Sequence, residues 1–257
     1  MFLDEFKEIR RLAEILQVSS ILDAVQLEML DRPEHLMELG EYACIFERLT
    51  RPNSDPILVM KDGLLRTKIF KLAYKRRLWE ILREHPTQRL VGVAKWSQVL
   101  NILGTALKLK KKIPSDRTGY IAIPPEIEQQ AYQQPANYRF YPFGRLYLAK
   151  LSSRSDLLVT LEIPYDVETQ RPIYPPQDIE EIIGHLIKDA KASFPSIGYP
   201  QTIMRAHEKA VQVGIPASIW KDKIIDEILV QSPEIRKMLL EANTLREYVS
   251  KQQLGGL

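Results

Sequence analysis

Four acidic side chains, Glu38, Glu41, Asp62 and Glu162, are candidates to hold a hard cation if folding brings them to one point. Mg²⁺ or Mn²⁺ takes oxygen ligands, polarises a phosphate and activates water, so a metal-dependent nuclease needs two or three carboxylates that converge. Asp62 is placed to lead such a set. It follows the apolar run Ile57 to Met60 and precedes Gly63, so a rigid strand would aim it while the open strand end admits substrate. Asp-Gly is equally a turn dipeptide. Glu38 and Glu41 share a face of the helical stretch running into that strand, and Glu162 falls on a later strand.

Near the other end, GYPQTIMRAHEKA places Tyr199 just before Pro200, which suits the first turn of a helix. His207 has Ile203, Met204, Ala210 and Val211 as its i±3 and i±4 neighbours, which predicts an inward face. A histidine there is either a core residue satisfied by one hydrogen bond or a group beside a metal that binds phosphate, moves a proton or completes coordination. Lys95, after the run Leu90 to Ala94, either holds a phosphate or stands solvated at a strand end.

The composition limits what these residues can belong to. With 257 residues, 45% of them hydrophobic, the chain can bury a core and is not mostly disordered. One cysteine, Cys44, excludes an intrachain disulfide, and four scattered histidines supply no zinc cluster. The first twenty residues mix acids and bases unlike a secretory signal, and no apolar window is long enough to span a membrane. A reducing cytoplasm is the expected setting.

The net charge of +3 conceals a local excess. Residues 61 to 112 hold fourteen Lys/Arg against Asp62, Glu80 and Glu84, leaving the rest of the chain acidic. Lys68, Lys71, Lys75, Arg76 and Arg77 form one cluster and Lys108, Lys110, Lys111 and Lys112 another. Such a concentration suits a polyanion, because each cation near a phosphate releases condensed counterions. A solvated helix face and a basic loop account for it as well. Arg139, Tyr141, Arg145 and Tyr147 share one face of a regular strand, where rings and guanidinium groups suit stacked bases and phosphates of single-stranded DNA. No helix-turn-helix or zinc finger is present to read sequence.

The elements that must position these groups follow from periodicity. Helical spacing runs through Phe6, Ile9, Leu12, Ile15 and Leu16, then through Leu36, Leu39, Ala43, Phe46 and Leu49. Strands are expected at 57 to 60, buried on both faces, at 90 to 94, at 138 to 151, and at 157 to 163, where Pro164 stops the last. Helices return from Asp178 and after Pro200. A single α/β domain over 1–257 is expected, with 112–137 as a loop or insertion and 213–257 as a helical C-terminal extension.

The ordered set ILVMKDGLL, VGVAK, an aromatic-basic strand, LEIP and GYP followed by AHEKA resembles the NurA nuclease family over about residues 35 to 212. The resemblance implies a ribonuclease H-like mixed central sheet flanked by helices, with helical N- and C-terminal segments. It implies a homodimer with Mn²⁺-dependent (or Mg²⁺-dependent) 5′-to-3′ exonuclease and single-strand endonuclease activity. It also implies work with a HerA-type hexameric helicase in DNA end resection and double-strand break repair. Carried over by position, Asp62 matches the metal aspartate of the family's second strand, Tyr199 and His207 its C-terminal tyrosine and histidine, and Glu41 or Glu38 its upstream glutamate. Asp62, Glu41 and His207 would bind metal, with Tyr199 and Lys95 completing the catalytic set. The family's opening Asp-Gly-Ser strand has no counterpart before residue 35, where Asp4, Asp23 and Asp31 lie in helical or loop contexts. The alternative is therefore a shortened, inactive DNA-binding subunit of a HerA-type motor.

Overall fold

The structure is a computed structural model describing residues 3, 6–30, 32–51, 55–101, 111, 113–114, 116–132, 142–166, 168–191 and 196–213. The chain divides into two compact units, Met1–Met204 and Arg205–Leu257. The first is built on a mixed sheet of the order β1-β2-β5-β4-β3, flanked by helices.

Three helices precede the sheet: α1 Lys7–Leu16, α2 Ile21–Ala24 and α3 Pro33–Thr50. The second and third start where the sequence supplies a cap or a preset turn. Ser20 accepts from the Leu22 amide and forms a capping box with Asp23, and Pro33 occupies the first turn of α3. Leu12 and Leu16 of α1 are buried with Leu39, Phe46 and Leu49 of α3. These helices carry Glu38 and Glu41 up to the first strand.

β1 (Ile57–Asp62) runs parallel to β2 (Gln88–Ala94), and α4 (Leu72–Glu84) makes the crossover between them. β2 then pairs antiparallel with β5 (Val159–Asp166), which continues antiparallel through β4 (Gly144–Lys150) to β3 (Gly119–Ala122). β6 (Arg171–Pro172) extends β5 briefly. β2 and β5 sit in the middle and are buried almost throughout; Leu90 to Ala94 of β2 is the unbroken run that burial on both faces requires, whereas β5 also buries Thr160, Glu162 and Asp166.

β1 departs from expectation. Ile57 to Lys61 are half-buried and Asp62 is exposed, because β1 lies at one end of the strand order and is covered on fewer sides. Pro164 does not end β5, which runs on to Asp166. Opposite Pro164 stands Gly144, whose amide donates to the Glu162 side chain, and the ladder resumes past the proline where the Tyr165 amide donates to the Phe143 carbonyl at 3.2 Å.

The 112–137 stretch also holds more than a loop. It contains β3 and α6 (Pro125–Tyr132), with a short helix α5 (Gln98–Asn101) before it. Ile123, Leu146, Leu148 and Val99 make a second small core there. After β6 come α7 (Pro176–Ala190), which buries Ile182, Ile183 and Leu186, and α8 (Gln201–Val213). The expected extension beyond 213 and the first part of the expected third strand, 138 to 141, lie outside the described residues.

Candidate active site

Asp62 is the last residue of β1, and its register partner on the parallel neighbour is Val93, one residue before the end of β2. Carboxyl ends of parallel strands are where open α/β sheets bind ligands, because no helix or loop yet covers them. Two glycines shape this corner. Gly63 turns the chain with φ of 94°, and its amide donates to the Val93 carbonyl at 2.8 Å. The turn then passes over Gly92, where a Cβ would stand 2.7 Å from the Gly63 oxygen and 2.8 Å from the Leu65 nitrogen. VGVAK thus needs its glycine so that KDG can cross it.

The Tyr199 hydroxyl donates to Asp62 Oδ1 at 2.8 Å and approaches the Val93 carbonyl at 3.3 Å. Its ring is 7% exposed, and Ile203, one helical turn on, is buried with it. Burial pushes the phenol's pKa well above its usual value, and the hydrogen bond and negative charge of Asp62 push it the same way. Tyr199 therefore remains a neutral donor at physiological pH. It fixes one oxygen of Asp62 and leaves the other outside that bond.

Glu41 reaches the same corner through Lys61, whose ammonium lies 2.9 Å from Glu41 Oε2 and 3.3 Å from the Asp62 carbonyl. Glu38, one turn earlier, is half-buried and hydrogen-bonds Thr67. Burial raises its pKa, while that bond, Lys61 and His35 hold it partly down. Lys95 is exposed directly beyond β2, at the strand end shared with Asp62. These carboxylates are hard oxygen donors of the type Mg²⁺ and Mn²⁺ prefer, and such ions often take only one or two protein carboxylates plus water and phosphate. Among the described residues no group of three His, Cys, Asp or Glu side chains is gathered as a metal cage.

Glu162 belongs to the fold. Completely buried, its Oε1 accepts from the amides of Phe143 and Gly144 at 2.9 and 3.0 Å, and its Oε2 from the Arg66 amide at 2.8 Å and the Arg66 guanidinium at 3.4 Å. A carboxylate that terminates three backbone donors and an arginine is a structural anchor.

His207 differs from expectation. It falls in the second unit, and its side chain is exposed, as are those from Arg205 to Ala210. The spacing around His207 resembles an inward face, but among the side chains described on α8 the buried one is Ile203 in its first turn, and Ala210 offers little apolar area.

The basic candidates divide. Lys71 is exposed and donates to the Asp23 carbonyl, and Lys68 is half-buried. Arg76 pairs with Glu168, and Arg77 with Glu80 and Glu84, so acids offset both. Lys75 is no surface cation: it is 1% exposed, its amine directed at the carbonyls of Thr67 and Pro142. Burial lowers its pKa to about 7. Lys111 is exposed, while Lys108, Lys110, Lys112, Arg139 and Tyr141 lie outside the described residues.

Arg145 and Tyr147 do share a face. They line a cavity of about 380 Å³ with Tyr120, Tyr165 and Tyr174, and the Arg145 guanidinium stacks 3.8 Å from the centroid of Tyr165. Two residues at the Asp62 corner had escaped notice in the sequence, Lys61 and Trp96. Lys61 was masked by its position inside an apolar strand, and Trp96 by standing two residues past the run that marks β2.

A mixed sheet flanked by helices, with a carboxylate fixed by a tyrosine at a parallel strand end, agrees with an α/β nuclease-like fold. The NurA domain family model matches residues 5–212, and the chain belongs to the NurA family, a family of nucleases. No curated protein and no solved structure matches the chain. No helix among the described residues is long and apolar enough to cross a membrane.

Proposed function

We propose that this chain is a metal-dependent deoxyribonuclease that cuts single-stranded DNA and degrades ends 5′ to 3′. The observation that carries the reading is the hydrogen bond from Tyr199 to Asp62, which fixes a carboxylate at an open strand end. A bound Mn²⁺ or Mg²⁺ supplies Lewis-acid polarisation of the scissile phosphate and a water of lowered pKa. Asp62 and Glu41 are the residues to hold it, with Glu38 as the less favoured glutamate. Tyr199 orients Asp62 through the hydrogen bond to Oδ1. Lys95 offers a positive charge to the phosphate at the same strand end. His207, exposed on α8, is assigned to proton transfer or to the coordination shell by family position alone. Lys68, Lys71, Arg76, Arg77 and Arg145 draw the DNA backbone, with Tyr147 beside Arg145 offering a ring to a base.

The setting proposed is DNA end processing in the cytoplasm, as a homodimer working with a HerA-type hexameric translocase. Purified protein with Mn²⁺ is expected to degrade single-stranded DNA, and Asp62→Ala to abolish that activity while keeping the melting temperature. Full cleavage by Asp62→Ala would refute the assignment.

A second reading is a non-catalytic DNA-gripping subunit of the same motor. One observation favours it: Glu41 is ion-paired with Lys61 and Glu162 is consumed by the fold, which leaves Asp62 short of carboxylate company. Salt-sensitive DNA binding without cleavage under any divalent metal is its signature.

A further inference from the structure

The strand end that carries Asp62 also presents the most exposed large apolar side chain among the described residues, Trp96, which is 79% exposed. Scattered apolar residues on a surface are ordinary, but an indole left almost wholly in water forgoes more burial than most side chains. Nor does it hang on a slack loop. Ala94 pairs with Thr160 of β5, and the buried Ser97 shares a 2.7 Å hydroxyl hydrogen bond with that same Thr160. Ser97 also accepts from the Leu100 amide, and Val99 is fully buried. The chain is thus fastened to one residue of β5 immediately before and after Lys95 and Trp96, so these two side chains project from a pinned turn.

The turn is close to the candidate active site. Asp62 is in register with Val93, adjacent strands are about 4.8 Å apart, and Trp96 is three residues further along. Its Cα therefore lies within about 16 Å of the Asp62 Cα. That interval fits the reach of a few nucleotides, the smallest footprint over which single-stranded DNA is usually gripped.

We infer that Trp96 is a stacking platform for an unpaired nucleobase, seating the strand whose phosphate lies at Asp62; this deepens the nuclease reading and rests on it. Lys95 supplies the cation for the adjoining phosphate, so the dipeptide offers one ring and one charge per nucleotide step. Stacking tolerates any base because every base has a π-face. A duplex hides those faces inside its own stack, so the platform selects single strands and frayed ends.

The test is fluorescence anisotropy of the full chain with a short labelled oligothymidylate, at low salt and without divalent metal. Trp96→Ala is expected to weaken binding about tenfold and Trp96→Phe to recover most of it. The salt slope should stay unchanged, because no phosphate contact is lost. An abasic strand of equal length should bind wild type and Trp96→Ala alike, and comparing abasic with thymidine strands on wild type needs no substitution at all. If Trp96→Ala binds oligothymidylate as wild type does while the wild type still binds and cleaves, the platform is refuted and the nuclease reading stands. If the wild type binds no strand and cleaves none, both fall together.

Discussion

The hydroxyl of Tyr199 sits 2.8 Å from Oδ1 of Asp62, a residue 137 positions earlier in the chain. Tyr199→Phe keeps the buried ring and deletes only this donor. Its cost in stability should be about 1 kcal/mol, whereas cleavage should fall roughly tenfold or more because the carboxylate loses its fixed orientation. Steady-state kinetics that leave kcat unchanged would show that the bond merely secures the helix.

Lys61 competes with any divalent cation for Glu41. Lys61→Met should tighten Mn²⁺ binding about two- to fivefold, the range of an exposed ion pair, and Glu41→Gln should weaken it. Calorimetric titration gives both numbers, and equal affinities in the two variants would remove Glu41 from the ligand set.

Glu162→Gln should unfold the protein more readily without touching the chemistry. An amide nitrogen would be turned toward donors that now meet a carboxylate, at a cost of about 3 kcal/mol. Urea titration measures the loss. Specific activity of the folded fraction should survive, and a selective loss of metal binding would return Glu162 to the site.

Lys75 makes stability depend on pH in a defined direction. Its folded-state pKa is lowered to about 7 from an ordinary value of 10.5. Between those two values the unfolded chain holds a proton that the folded one lacks, so stability rises with pH across that window and is lowest below it. Lys75→Met should flatten that rise. Melting temperatures at pH 6 to 10, compared between wild type and variant, decide it.

Much of this was legible from spacing, and the exceptions share a cause. β5 was readable as a strand, but not its burial of Thr160, Glu162 and Asp166; β2 was readable because a continuous apolar run means burial on both faces. The run in β1 looks the same, yet periodicity carries no information about how many neighbours a strand will have. β3 is only four residues long and α6 only eight, so local pattern could not separate them from a loop. The lysine at 75 was read as surface from its charge, although Leu78, Trp79 and Leu82 mark its helix face as inward. For His207 the error ran the other way, since helical spacing reports a face and not whether anything packs against it. The pairing of Asp62 with Tyr199 spans too much chain for spacing to show, and only the family resemblance brought the two together.

β1 ends the strand order of the sheet and holds to it through β2 alone among the described strands. The aspartate thus rides on an edge strand, and edges open more readily than the buried middle of a sheet. Gentle heating should silence cleavage while the β4-β5 pair still stands, and amide hydrogens of residues 57 to 62 should exchange sooner than those of 159 to 166. A strand end that loosens first would give the nuclease a built-in thermal fuse.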